Sequence, residues 1–262
     1  MNAFLAAFWA ESLKARRSKI TLLTTLGFLI LPLAGGFFML ILKDPAAARS
    51  MGLISTKAQL TAGTADWPSF FSLITQGIAA AGAVLFSLIT SWVFGREWSD
   101  HTAKELMALA TPRWAIVTAK FALMAVWFLL VTLLVYIVGL AVGVAVNIPG
   151  WSSDLGWSSF WIVLVCTVLT FLLMPLVALF ASSGRGFLPP MGWMMLTLAF
   201  ANLVSVLGYG DWFPWAIPVL LSGMVKTHAE MVGVHSYVIV ALVGLAGFAA
   251  TFAWWRSADQ TK

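Results

Sequence analysis

The residues able to do chemistry are concentrated in one stretch of the chain, FGREWSDHTAKELMALATPRWAIVTAKF, residues 94–121. It carries Arg96, Glu97, Asp100, His101, Lys104, Glu105, Arg113 and Lys120, in a sequence with only ten acidic and fifteen basic residues in all. No GxxxxGK[ST], HExxH, CxxC or GxSxG occurs in the chain, and no catalytic pair is visible. Elsewhere, His228 and His235 are two helical turns apart with Glu230 nearby, which is thin ligation for a metal; they read as interfacial polar residues. Cys166 is the single cysteine and reads as a packing residue. Gln76 and Asn202 are the strongest polar candidates inside apolar runs, either holding helices together or lining a pathway.

The elements that must position these residues follow from composition. The chain is 61% hydrophobic and 10% charged with a mean hydropathy of +0.95, which excludes an ordinary soluble domain. A helix crosses the hydrocarbon core with roughly 20 consecutive apolar residues. Residues 20–42, 67–94, 121–146, 158–180, 188–207 and 235–255 meet that length and contain no Asp, Glu, Lys or Arg. Continuous runs of this kind are helices rather than barrel strands, because in lipid each backbone polar group must be paired within the segment. The expectation is an all-α polytopic membrane protein of six spans forming a single domain over 1–262. Ion-coupled carriers usually place ionisable groups at the midplane, and these spans have none. The energy is therefore expected to come from elsewhere.

Lys and Arg set the orientation. With the N-terminus inside, the cytoplasmic pieces hold eleven of the fifteen and the outer pieces only Lys43, Arg49, Lys57 and Lys226. Both termini are expected on the cytoplasmic side. The basic balance reflects this bias and gives no reason to invoke nucleic acid.

Within residues 1–19, Phe4, Leu5, Phe8, Trp9 and Leu13 recur at helical spacing, with Glu11, Lys14, Arg16 and Arg17 as a polar side. That pattern predicts an amphipathic interfacial helix. Residues 43–66 form an outer loop, and Trp67-Pro68 opens the second span with Trp at headgroup depth and Pro in a first turn. Pro32 and Pro175 fall inside spans, where prolines are tolerated. The segment GYGDWFPWAIPVLLSG, residues 208–223, is apolar but broken by Gly208, Gly210, Pro214 and Pro218. It reads as a re-entrant outer element with Trp212 and Trp215 at headgroup depth, candidates for an exit pathway, with an ordinary interfacial loop as the alternative.

Residues 98–110 contain neither Pro nor Gly and favour a helix, ended by Pro112. Leu106, Leu109 and Ala110 fall on one side, Asp100, Lys104 and Glu105 elsewhere. A short helix tethered between two spans, with an apolar edge, needs a partner; on composition alone a solvated loop helix is the equal alternative.

These residues carry a resemblance. Gly95, Arg96, Glu97, Asp100, Thr102, Lys104, Leu106, Pro112, Arg113 and Lys120 resemble the G-R-E, T-x-K-x-L and P-x-R pattern that joins spans two and three in ABC-2-type permeases. Residues 11–19 resemble the interfacial helix of that family, and FPWAIPVLL the broken element before the last span. The tight Pro112-Arg113 turn departs from many relatives by one residue. The resemblance implies the membrane subunit of a bacterial exporter in the cytoplasmic membrane, of the antibiotic-resistance branch. Two permease subunits, as a homodimer or heterodimer, would lie above two separate ABC ATPase subunits. ATP and Mg would bind to the ATPase and no cofactor to this chain. Residues 98–110, with Arg96, Glu97, His101, Thr102, Pro112 and Arg113, would be the ATPase-coupling element. Glu97 would be a buried junction charge with Arg96 as its cation. A near-neutral pathway rich in Trp, Phe and Met suits a hydrophobic or amphipathic cargo, such as a peptide antibiotic or lipid-like molecule. Export of sodium or another small solute, or a non-transporting receptor or scaffold, is the alternative.

Overall fold

A computed structural model describes residues 2–44, 52, 64–108, 110–223 and 232–258. Most of the loop 44–66, Leu109, and residues 224–231 with His228 and Glu230 lie outside the described residues. All regular structure among the described residues is helical. Six helices are long and apolar enough to cross a membrane.

Asn2 caps α1 (Ala3–Arg16), and Ser18, whose Oγ accepts from the Ile20 N–H at 3.1 Å, starts α2 (Lys19–Lys43). The second span is composite: α3 (Trp67–Gly77), a π-helical segment (Ile78–Gly82) and α4 (Ala83–Ser99). Asp66 caps α3 through the Ser69 N–H at 2.9 Å, and Pro68 falls in the first turn, where a missing N–H costs nothing. The π segment, a one-residue insertion in the helical ladder, has no Pro or polar run to announce it in the sequence. A short α5 (Ala103–Ala108) precedes α6 (Arg113–Ala145), followed by α7 (Ser153–Ser183), α8 (Leu188–Val206), a 3-10 turn (Gly210–Trp212), α9 (Ile217–Leu221) and α10 (Val234–Ser257).

The helices outrun the apolar windows. The second span continues to Ser99, the third begins at Arg113 and not at residue 121, and the fourth runs from Ser153 to Ser183. Apolar length measures the hydrocarbon thickness, whereas a helix ends where its backbone bonds are intercepted. Here they are intercepted by left-handed residues: His101 (φ 57°), Asn147 (φ 54°), Arg185 (φ 52°) and Gly208 (φ 84°). After each, a back-bond closes the cap, as from the Thr102 N–H to the Glu97 carbonyl at 2.9 Å.

α7 is the central post, packed by α10, α4, α8, α6 and α9, while α1 and α2 lie against α6. Contact in lipid depends on close fit, since lipid tails are as apolar as leucine. α10 meets α7 backbone to backbone: a Cβ on Gly244 would lie 2.6 Å from the Leu172 carbonyl oxygen, and one on Gly247 3.0 Å from the Leu176 nitrogen. Thr251 donates across the same seam to the Pro175 carbonyl at 3.0 Å. Phe86 stacks on Phe128 at 3.9 Å between centroids and lies against Phe28, filling the space between α2, α4 and α6. Buried Thr75, Thr90, Ser91 and Thr170 donate to the carbonyl four residues back, so each hydroxyl is satisfied without a partner helix. Thr132 and Thr167 instead join α6 to α7 at 3.0 Å.

Candidate functional site

The N-terminus, α5, the start of α6 and the end of α10 gather at one end of the bundle, here termed basal. The charged stretch folds there in two parts. α4 ends at Ser99, and His101 turns the chain through the left-handed region, so residues 98–110 do not form one helix. No Gly or Pro marks the break; the cap geometry supplies it. α5 is consequently only six residues long. Ala103 is buried and Leu106 packs half-buried against the bundle's own core, whereas Lys104, Glu105, Ala108 and Ala110 are exposed. The expected apolar edge thus divides: Leu106 seats the helix inward, Ala110 faces out, and Leu109 lies outside the described residues. Pro112, extended at φ −64° and ψ 138°, then leads into α6.

Beneath this turn lies a four-membered ion cluster drawn from three elements. Glu97, in the last turn of α4, receives the Lys120 ammonium at 2.8 Å and the Lys14 ammonium at 2.9 Å, both on Oε1. Glu11 of α1 receives Lys14 on Oε1 at 2.7 Å and Lys120 on Oε2 at 3.3 Å. Lys120 also donates to the Val93 carbonyl at 2.6 Å. Lys120 is 0% exposed and both carboxylates 4%. Charges so far from water persist only when paired and hydrogen-bonded. Lys14 lies at the rim. Burial alone would lower its pKa, but the Glu97 and Glu11 carboxylates outweigh that and hold it above the ordinary lysine value.

Two expectations change here. Glu97 does not pair with Arg96, which instead reaches Asp100 at 3.0 Å on the exposed side and lies 5.1 Å above the Trp92 ring. Neighbouring residues on a helix point about 100° apart, so Arg96 cannot share the inward face of Glu97. Glu11 is not on a solvated polar side: α1 turns Ala7, Glu11 and Ala15 into the protein and leaves Leu5 and Trp9 outermost. Sequence reasoning named Glu11, Lys14 and Lys120 but missed that they meet Glu97 in one buried cluster. The signal for Lys120 was a lone cation within the apolar sequence of what proves to be one continuous α6; for Glu11, it was the one carboxylate of α1.

A cleft of about 400 Å³ opens over the cluster, bordered by Lys14, Glu97, Asp100, Thr102, Glu105 and Leu106. The carboxylates and ammoniums in its floor neutralise one another, so the arrangement has no group poised for bond making. What it can do is mechanical: it ties α1, α4 and α6 together directly beneath α5.

At the opposite, distal end the pathway candidates separate. Gln76 donates to Ser72 at 2.9 Å and Asn202 to the Leu198 carbonyl at 2.9 Å, each within its own helix, and Asn202 is exposed. Neither bridges two helices. Trp215 is buried, its ring 5.7 Å from Trp193, whereas Trp212 is 61% exposed beside His235. The two tryptophans therefore differ in how far the protein covers them. His235 pairs with Asp211 at 2.9 Å. The Cys166 thiol approaches the Pro218 carbonyl oxygen at 3.6 Å, so α9 reaches about the mid-length of α7. A distal cleft of about 530 Å³ is walled by Trp67, Leu140, Val144, Ile148 and Trp151.

Comparison with known proteins adds to this geometry. A family model described as ABC-2 family transporter protein matches residues 7–202. Over 179 residues the chain is 25% identical to the bacitracin transport permease protein BCRB of Bacillus licheniformis, covering 68% of this chain and 85% of that protein. No solved structure matches. The matched span encloses all four members of the ion cluster, and the distal element from Gly208 onward lies beyond it.

Proposed function

This chain belongs to the ABC-2 family of transporter proteins, and we propose that it is the membrane half of an ATP-driven exporter whose ATPase is a separate chain. The observation that supports this most is the basal junction. α5 projects Lys104, Glu105 and Ala108 outward and borders the cleft whose floor is an ion cluster shared by three elements. A protein surface closing on α5 pulls on α4, and α1 and α6 follow, because withdrawing α4 would strand the buried Glu97 from both of its ammonium partners.

The basal end is cytoplasmic in this reading, by the eleven-to-four division of Lys and Arg. Two copies of the permease stand over two ATPase subunits, which hold the ATP and Mg. The cargo is hydrophobic or amphipathic and peptide-like. Support comes from the aromatic wall of the distal cleft and from a relative named for bacitracin transport. The distal element 208–223 re-enters the outer leaflet and borders the exit, supported by the contact of Pro218 with the middle of α7.

The test is co-purification with the co-expressed ATPase. Ala108→Trp alters an exposed position on α5 and leaves the cluster intact, so the unfolding midpoint should not move. ATPase retention should fall about tenfold, the equivalent of roughly 1.4 kcal/mol at the interface. Undiminished recruitment and cargo-stimulated hydrolysis would remove α5 from the docking surface.

A further inference from the structure

A second basal cleft, of about 620 Å³, lies between the first turns of α6 and the last turns of α10. Val117, Phe252 and Ala253 contribute to its wall, along with the buried Trp255, whose indole N–H is already committed to Ser182 Oγ at 3.0 Å. Trp114, 56% exposed, flanks the opening. Among the described residues the lining is therefore apolar apart from Arg113 and Arg256, with no acidic residue.

The two arginines are not committed to a carboxylate, a state shared among the described residues by Arg16, Arg17, Lys19 and Lys104. Lys14, Arg96 and Lys120 each have a carboxylate partner, whereas Arg113 and Arg256 have none among the described residues. Arg113 is also fixed in place. Its Nη1 donates to the carbonyls of Trp255 at 3.1 Å, Arg256 at 3.2 Å and Ala258 at 3.3 Å. Nε and Nη2 remain as donors with no partner among the described residues. A guanidinium held in one orientation with a free edge is suited to bidentate binding of a phosphate. The site lies at the ends of two membrane-spanning helices, with Trp114 and Trp254 at the level where aromatic side chains mark the headgroup region.

We propose that this cleft is a binding site for one anionic phospholipid. The phosphate sits between Arg113 and Arg256, and the upper acyl chain lies along Val117, Phe252 and Ala253. Charge complementarity selects the occupant. An uncharged apolar molecule would leave the half-buried Arg113 and the exposed Arg256 without a counter-charge, and a zwitterionic lipid brings its own cation to the same place. Such a lipid joins the α6 start, which follows α5, to the end of α10. It is therefore positioned to stiffen the basal assembly independently of any ATPase.

The experiment uses the purified full chain in uncharged detergent, with thermal unfolding followed against added phosphatidylglycerol, phosphatidylcholine or inorganic phosphate. Phosphatidylglycerol should raise the midpoint saturably, and the other two should not. Arg256→Gln should weaken the phosphatidylglycerol response about fivefold in half-saturating concentration, the effect expected of one basic side chain at a lipid surface. Ala253→Trp replaces an exposed wall residue and fills the cleft; it should abolish the response while leaving the lipid-free midpoint unchanged. Equal responses to the two lipids, or an undiminished response in both variants, overturn the site. A response to inorganic phosphate alone overturns the lipid assignment.

Discussion

Replacing Lys120 by methionine tests whether the buried ion cluster holds the basal assembly together. The side chain is fully buried, and its ammonium reaches the Val93 carbonyl at 2.6 Å, Glu97 Oε1 at 2.8 Å and Glu11 Oε2 at 3.3 Å. Methionine fills much of the stem volume, so the change removes charge more than packing. It leaves two buried carboxylates served by Lys14 alone, whose side chain is 32% exposed. Glu97 Oε2 has no partner to begin with, so no spare donor takes over. Removing one member of a buried pair costs about 3–5 kcal/mol. For a chain of this size each kcal/mol moves the unfolding midpoint by roughly 2–4 °C, so the drop should be on the order of 10 °C. The assay is thermal loss of the monodisperse species in detergent. Adding Glu97→Gln neutralises the stranded carboxylate, so the double variant should be more stable than the sum of the single changes by about 1–3 kcal/mol. A drop below roughly 3 °C for Lys120→Met, or strict additivity in the double variant, would refute the reasoning.

Three further outcomes are expected. Gly244→Ala should destabilise by about 1–3 kcal/mol, because its Cβ would sit 2.6 Å from the Leu172 backbone carbonyl, which cannot rotate away. Gly192→Ala, in open space on α8, should gain up to about 1 kcal/mol; the opposite signs in one thermal assay check the close α7–α10 approach. Asp66→Ala should cost about 1 kcal/mol through loss of the α3 cap. Burial raises the Asp66 pKa, but hydrogen bonds from Thr64 and Ser69 outweigh this and hold it below the ordinary 3.8. Its contribution is thus complete above that value and is lost as pH falls through the lower folded value, so the gap between the two proteins should close in acid. Ser153→Cys and Ser257→Cys, at exposed distal and basal positions, should label from opposite faces of intact cells, with no background from the sole, buried Cys166. Labelling of both from one face would overturn the six-span arrangement.

The six helices were legible in the sequence because hydrocarbon imposes one strong rule: a spanning backbone must satisfy its own hydrogen bonds, and only a long apolar run allows that. The Trp67-Pro68 helix start was legible for a similarly local reason, since a first-turn proline acts through its own backbone. The charged stretch was legible as the place where charge collects, because the residue types stand next to one another in the chain. Each of these depends on neighbours within a few positions.

The partners of those charges were not legible. Glu97 and Lys120 are 23 residues apart and Lys120 and Glu11 are 109 apart, so only the packing of α1 and α4 on α6 brings them within hydrogen-bond reach. The break at His101 has no Gly or Pro to signal it; a left-handed non-glycine residue costs about 1–2 kcal/mol, which the surrounding contacts offset. The same packing turns Leu106 and Trp215 inward and leaves Asn202 outward. In a chain this apolar nearly every face is greasy, so periodicity does not distinguish a lipid-facing side from a protein-facing one. The sequence by itself determined how many times the chain crosses and where its charge collects. Only the tertiary structure decided which charges meet, because burial makes an unpaired ion too costly and so selects the arrangement in which each charge finds its counterpart.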